Sequence, residues 1–367
     1  MEKRDRLEAY LESDGLDSVW FARPNAFAWL TGGSNVVDRE TDAGVAAIGY
    51  DGTEFRLVTN NIEAERIVAE ELPDIDRDDV TLEEFPWHAS SLGEAIAACV
   101  EDDERAAADI DVPGLERVDP TPLRQPLTDQ DRNQYRELGQ ETAAAVESVC
   151  RELRSEDTEH EVASALRVAL SARDIEAPVV LVGGAERAQQ YRHYTPTDAE
   201  LGDYVLVSVT TQRAGLHASC TRAVAFDPPS WLEDRHAGAA RVETTALAAT
   251  QAAATDGGTA GDVFTAIQDA YETLGYGGEW ERHHQGGAAG FAGREWIATP
   301  DHEASITAPM AYAWNPTVEG AKSEDTVLVT DDEIDVLTET GRWPTTTARA
   351  VEYDLELERP AVLGLED

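Results

Sequence analysis

The stretch "YVLVSVTTQRAGLHASCTRAVAF" (Tyr204–Phe226) decides the architecture of this chain. Two β-rich runs, "YVLVSVTTQ" and "GLHASCTRAVAF", are separated by a connection short enough only for a tight hairpin. Side chains alternate across a strand, so Ser219 faces away from Cys220, and Cys220 is expected in the core.

Upstream of the hairpin lie helical patterns over about 128–153 and 158–173, then a strand at "APVVLVGG". Downstream come a helix over about 234–255 and a second opened by Thr259-x-x-Asp262, a capping-box pattern, running to about Leu274. The remainder reads as β-rich: "EWERHHQGG", "MAYAWNPTV", "SEDTVLVT" and "IDVLT". Helices first and a large, mainly antiparallel sheet last make an α+β domain. Before it, "DPTPLRQPLTDQD" (119–131) clusters three prolines and breaks periodicity, which sets a boundary between residues 1–122 and 123–367. The first part is a smaller α/β domain. A helix over 4–13 ends near Gly15, "SVWFA" (18–22) is a buried strand, and "GVAAIGY-DG-TEFRLVT" is a hairpin turning on Asp51-Gly52. Helical patterns at 61–72 and 91–101 and a strand at "ERAAADI" complete it.

Charge bounds the partners. Acids number 73 against 29 basic residues, a net charge of −44, and Lys3 and Lys322 are the only lysines. Such a surface repels nucleic acid and anionic membranes, so neither is an expected partner. The acids are interspersed with periodic apolar positions, and 42% of residues are hydrophobic, so the charge does not mean disorder. An acidic, lysine-poor globular chain resembles proteins of salt-accumulating halophiles, where molar cation screens self-repulsion. No signal-peptide pattern and no apolar run of roughly 20 residues is present, and a cytoplasmic location is expected. Cys99, Cys150 and Cys220 are far apart and odd in number, which fits reduced thiols without zinc spacing.

Four segments carry a family resemblance: "RHYTPTDAELGDYVLVSV", "GLHASCTRAVAF", "HHQGGAAGF" and "GAKSEDTVLVTDDEIDVLT". Their order and spacing resemble the pita-bread superfamily of prolidase, aminopeptidase P, methionine aminopeptidase and creatinase. The resemblance implies a pita-bread C-terminal domain, a creatinase-type N-terminal domain and a homodimer. It also implies that "NAFAWLTGGSN" (25–35) is the loop and strand nearest the other subunit's pocket.

In the metallopeptidase members two Asp, one His and two Glu hold a pair of divalent metals. Carried over with Gly215, Thr221-Arg222, Pro316 and Glu324-Asp325-Thr326 as anchors, those positions fall on Ser208, Ser219, Gly287, Asn315 and Glu324. Only Glu324 keeps the family's residue type. Bridging carboxylates neutralise the metals and fix their spacing, and one glutamate cannot do so alone. No metal and no cofactor is therefore expected.

What remains is polar. By the resemblance, His283 and His193 match histidines of the substrate pocket, Arg294 replaces a histidine near the scissile bond, Glu295 matches the acid beside it, and Lys322 replaces an arginine. Read as a strand, the stretch puts His283, Gln285 and Gly287 on one face and turns His284 away. Lys322 and Glu324 share a face about 7 Å apart, which places an ammonium where the metals' charge is missing. The expected catalytic set is His283, His193, Glu295 and Glu324, with a histidine as acid and base and the carboxylates orienting it or accepting protons. Arg222 and Arg294 are expected to fork onto a substrate carboxylate. Asn315, Lys322, Ser208 and Ser219 complete the binding set, the serines as hydrogen-bonding groups. His88, His160, His217, His236 and His302 are expected to be bystanders.

These features imply an Xaa-Pro peptidase-family protein working as a metal-independent, creatinase-like hydrolase of a C–N bond in a small amide or peptide-like substrate. A catalytically silent peptide- or protein-binding member is the alternative. A single metal held by His193, His283, Glu295 and Glu324 ranks third.

Overall fold

The computed structural model describes residues 2–366. They form two compact units, Met1–Gln125 and Pro126–Asp367.

The first unit is built on a six-stranded sheet of order β4-β3-β2-β1-β5-β6. Its strands are β1 (Ser18–Phe21), β2 (Ala46–Tyr50), β3 (Phe55–Asn60), β4 (Val80–Phe85), β5 (Ala106–Ala108) and β6 (Glu116–Arg117). Its helices are α1 (Glu2–Asp14), α2 (Pro24–Thr31), α3 (Ala64–Glu70) and α4 (Leu92–Ala97). The β2–β3 hairpin turns where Asp51-Gly52 predicts, with Gly52 at φ 86 and the Asp51 carboxylate accepting from the backbone of Thr53 and Glu54. The stretch 25–35, expected as loop and strand, is largely α2 instead. Pro24 supplies the preset φ of a first helical turn, and Gly32, at φ 75, takes the left-handed cap. Every residue from Ala26 to Thr31 is buried.

In the second unit come α5 (Asp129–Cys150), α6 (Glu159–Ser171), β7 (Glu176–Gly184), α7 (Ala185–Gln190), β8 (Tyr204–Arg213), β9 (Leu216–Ala225), α8 (Leu232–Asp256) and α9 (Ala260–Thr273). Helices α5, α6 and α9 each open on a reciprocal capping box, from Thr128, Thr158 and Thr259. Then follow β10 (Gly286–Ala289), β11 (Met310–Trp314), β12 (Thr317–Val318), β13 (Ala321–Lys322), β14 (Val327–Val329) and β15 (Ile334–Val336). Strands β16 (Thr345–Arg349), β17 (Glu356–Pro360) and β18 (Leu363–Gly364) close the chain. The expected large sheet is two four-stranded sheets, β18-β9-β8-β7 and β10-β11-β14-β15, with two-stranded ribbons β12-β13 and β16-β17.

The β8–β9 hairpin turns on Ala214 and Gly215, both left-handed at φ 49 and 81, as a two-residue hairpin loop requires. Its two faces diverge in chemistry. Val207, Val209 and Cys220 join Val146, Leu166 and Val182 in the core, each valine contributing about 1.5–3 kcal/mol by burial. Ser208, Thr210, Ser219 and Thr221 face the other way. The Thr221 amide donates to Glu324 O at 2.9 Å, and the Ser219 amide to Thr326 Oγ1 at 2.7 Å. Those bonds dock the segment carrying Lys322 and Glu324 against β9.

Candidate functional site

Glu324 is the hub of the polar cluster. Its Oε2 accepts from Lys322 Nζ at 2.7 Å and from Thr221 Oγ1 at 2.9 Å, and its Oε1 from Arg294 Nη2 at 2.9 Å. Glu324 and Lys322 are buried and Arg294 nearly so. Burial pushes the Glu324 carboxyl up, but the charges of Lys322 and Arg294 and the hydrogen bonds from Lys322 and Thr221 outweigh it and hold it at about 2. It is therefore a fixed anion and a poor proton acceptor near neutrality, unlike the proton-accepting role expected for it.

Around this clamp runs a ladder of hydroxyls. Ser208 Oγ lies 2.7 Å from Thr221 Oγ1 and 3.1 Å from the Tyr194 hydroxyl, and Lys322 Nζ donates to it at 3.4 Å. Ser219 Oγ lies 2.9 Å from Thr210 Oγ1 and accepts from Arg294 Nη1 at 3.2 Å. The pairings follow the strand register, Ser208 opposite Thr221 and Thr210 opposite Ser219. Tyr194, Thr210 and Thr221, the last only an alignment anchor in the sequence, join the site; their position on the same strand face as the serines, or beside His193, is the signal that finds them.

Beside the clamp three imidazoles converge. His193 Nε2 and His283 Nε2 are 3.2 Å apart, and the His283 and His284 rings lie 4.4 Å apart, tilted by 33°. One ring nitrogen from each of His193, His283 and His284 falls within 4.8 Å of the other two. The expectation that His284 turns away is corrected. The chain at 279–282 is a 3-10 turn, and β10 begins only at Gly286, so His283 and His284 are not consecutive residues of a strand and need not alternate. Gln285 holds the turn: its Nε2 donates to His283 O at 2.6 Å, and its Oε1 accepts from the Tyr271 hydroxyl at 2.9 Å.

Burial leads in keeping these imidazoles neutral, and the positive charge of Lys322 adds to it at all three. The His193 imidazole is lowered, His283 is lowered to about 2 and His284 to about 4. His193 is the exposed member, His283 the buried one.

The remaining expected residues sit differently. Arg222, on the core face of β9, is 1% exposed and does not meet the hydroxyl ladder. It pairs with Asp325 at 2.9 Å and Glu147 at 3.4 Å and donates to Thr338 O at 2.6 Å. Asp325 in turn binds Arg359, which binds Glu243, both at 2.6 Å. The alternation that turns Ser219 and Thr221 outward turns Arg222 inward, so it is a buried structural charge and not a carboxylate fork. Glu295 accepts from the Phe291 amide at 2.9 Å and so clamps the 291–295 turn. Asn315 is buried opposite Gln285, its amide donating to Gln285 O at 3.0 Å, with its Oδ1 unpaired. At Gly287 a Cβ would lie 2.1 Å from Trp296 O and 2.9 Å from the Trp296 ring, so no side chain fits.

Residues 133–331 match the family model of metallopeptidase family M24. No curated protein matches the chain. Among solved structures it is similar to a prolidase from Pyrococcus horikoshii OT3, at 16% identity and a TM-score of 0.74, covering 93% of this chain and 99% of that one. A prolidase from Pyrococcus furiosus gives 18% identity and a TM-score of 0.72, with 91% and 100% covered. The N-terminal domain of the FACT complex subunit SPT16 from Cicer arietinum gives 11% identity and a TM-score of 0.67, with 92% and 96% covered. The pita-bread architecture is common to this set. Among the described residues no helix is long and apolar enough to cross a membrane.

Proposed function

The chain belongs to metallopeptidase family M24, and from that premise we propose that it hydrolyses a C–N bond in a small amide or peptide-like substrate without the family's dinuclear metal centre. The Lys322–Glu324–Arg294 clamp carries this reading. Of the five positions that would hold two metals, Ser208, Ser219, Gly287 and Asn315 offer no carboxylate and no imidazole. The fifth, Glu324, is already compensated by two cations within 2.9 Å. A histidine at 287 would overlap Trp296. These residues do not fit a carboxylate-bridged metal pair.

What they fit is an anion. Lys322 and Arg294 against Glu324 leave one net positive charge beside neutral imidazoles. A buried positive centre favours a substrate carboxylate or the oxyanion that develops when water adds to a carbonyl. His193, the exposed imidazole, is the proton carrier. It accepts a proton from the attacking water and returns it to the leaving nitrogen as the C–N bond breaks, giving a carboxylic acid and an amine. His283 stays neutral and orients His193 through their 3.2 Å contact.

A second reading is supported by the same saturation. Ser208, Ser219, Thr221 and Glu324 already satisfy one another, a state that suits a silent binding protein on this scaffold. A homodimer accompanies either reading, by resemblance, and light scattering in molar KCl checks it.

The test is metal content in high-potassium buffer by elemental analysis, with hydrolysis of prolyl dipeptides and of small carboxylate-bearing amides measured with and without manganese or chelator. Chelator-resistant amide cleavage is expected. Two metals per chain with manganese-dependent dipeptide cleavage would overturn the proposal, and no cleavage of either class would favour the binding protein.

A further inference from the structure

We infer that His193, His283 and His284 form a binding site for one divalent transition ion of the zinc, nickel or copper type, separate from the five positions of the family's metal pair. Three neutral imidazoles meeting at one point are the donor set such ions prefer. With metal–nitrogen bonds of about 2.0–2.1 Å, two ligands of a tetrahedral ion stand about 3.3 Å apart. The His193 and His283 Nε2 atoms are 3.2 Å apart. The third nitrogen lies within 4.8 Å of both, so ring rotation of at most about 1.5 Å closes the triangle.

A second observation points the same way. His283 is only 7% exposed, and its Nδ1 has no hydrogen-bond partner; the Nδ1 of His284 is likewise buried and unpaired. No hydrogen bond at Nδ1 holds either ring, so each is free to turn a nitrogen toward the shared point, for His283 its Nε2. Exposure of His193 leaves one side of the triangle open for entry and for a fourth ligand from solvent.

The third-ranked single-metal set is corrected by the same geometry. Glu295 is spent on the Phe291 amide and Glu324 on Lys322 and Arg294, whereas His284 joins the other two histidines. Nearby charge tempers the affinity. Lys322 lowers all three imidazoles electrostatically, Arg294 acts on His284 and Arg192 on His283, opposed by Glu324 and by Glu279, which pairs with Arg192 at 2.8 Å. The site is thus expected to favour ions that bond strongly to nitrogen over hard ions that bind by charge alone.

Uptake takes the lone pair that His193 needs for proton transfer, so under the hydrolase reading zinc inhibits turnover; binding itself does not rest on that reading. The experiment is titration of the full chain with cobalt(II) in molar KCl and excess magnesium, which saturates surface carboxylates. Visible absorption reads the coordination, and zinc displaces the ion in a second step. One cobalt per chain with an intense nitrogen-ligand spectrum is expected. His284→Phe should weaken binding by at least about 10- to 100-fold, the scale of losing even an outer ligand partner, and His284→Cys should retain it. Circular dichroism establishes that each variant is folded. If His284→Phe fails to fold, His193→Gln, at the exposed member of the triad, replaces it with the same expected loss of binding, and unchanged binding there equally overturns the site. No stoichiometric cobalt binding, binding abolished by magnesium, or binding unchanged in folded His284→Phe would overturn the site. If binding holds and zinc does not inhibit, only the hydrolase reading fails.

Discussion

Lys322 Nζ sits 2.7 Å from Glu324 Oε2, two residues apart in the chain, with neither side chain more than 5% exposed. One of two lysines in a chain of net charge −44 is thus spent inside the protein. A buried pair of this kind adds little stability over an apolar replacement, but breaking it leaves an uncompensated charge. Arg294 also pairs with Glu324, so the change that strands charge is Glu324→Gln, which leaves both cations without an anion and should cost about 3–5 kcal/mol. The double variant Lys322→Met/Glu324→Gln should recover part of that loss, because only one of the two orphaned cations, Arg294, remains. Urea unfolding at fixed KCl measures both. Equal destabilisation in single and double variants would show that the two groups are not coupled.

Stability should fall in acid in two overlapping stages. His283 and His236 are held neutral in the fold, at about 2 and about 4, chiefly by burial. Their folded values lie below the unfolded value of about 6.5, so below that pH the unfolded chain binds protons that the folded chain does not, and stability drops. Glu324 adds to this below about 4.5, losing its contribution as pH falls toward its folded value of about 2. His236 lies on α8 and is 5% exposed, and the charges of Arg359 and Arg222 add to the effect of burial. His236→Gln should flatten the stability curve between about pH 6.5 and 4, by about 3 kcal/mol over that interval. An unchanged slope would mean that His236 is not held neutral.

The two arginines expected to bind substrate should separate cleanly. Arg222→Met removes the centre of a network that includes Asp325 and Glu147, and should destabilise the fold by about 3–5 kcal/mol. Arg294→Lys keeps a cation near Glu324 but loses the fork that also reaches Ser219. It should affect ligand affinity more than unfolding. Calorimetry of a small carboxylate-bearing amide against each folded variant, beside its melting temperature, tells them apart.

Surface charge sets a salt requirement. With 73 acids against 29 basic residues, self-repulsion opposes folding until counterions screen it. Melting temperature should rise as KCl goes from dilute to molar. A flat response would remove the halophile reading of the composition.

Legibility from sequence followed the range of the forces involved. The hairpin at Ser208 and Ser219, the capped helices and the Asp51-Gly52 turn rest on local pattern, and each lies where the pattern puts it. Glu324 beside Lys322 was legible because two residues on one segment cannot be far apart. Arg222 has the residue type of a carboxylate fork, but alternation with Ser219 turns it inward. The placement of His284 is not legible from strand alternation, because a 3-10 turn precedes the motif and Gln285 within it is held by Tyr271 from outside. Helix α2 is legible in Pro24 and Gly32, whose backbone preferences state its two ends, and not in the family resemblance.

Gly287 offers the sharpest test of how far the site has been rebuilt. If only ligand identity had changed, Gly287→His would begin to restore a metal-binding histidine. The Trp296 backbone argues otherwise: its carbonyl oxygen lies 2.1 Å from where a Cβ would be built, and backbone cannot yield as a flexible side chain does. Overpacking of this kind typically costs about 1–3 kcal/mol, occasionally more, as the surroundings shift. Gly287→His should therefore lower the melting temperature and leave manganese content unchanged. The β10–β11 register, in which Gly287 faces Ala313, should loosen, detectable as faster amide exchange at β10. A stable Gly287→His protein that gains manganese would mean that Trp296 moves aside readily and that the site retains room for a metal.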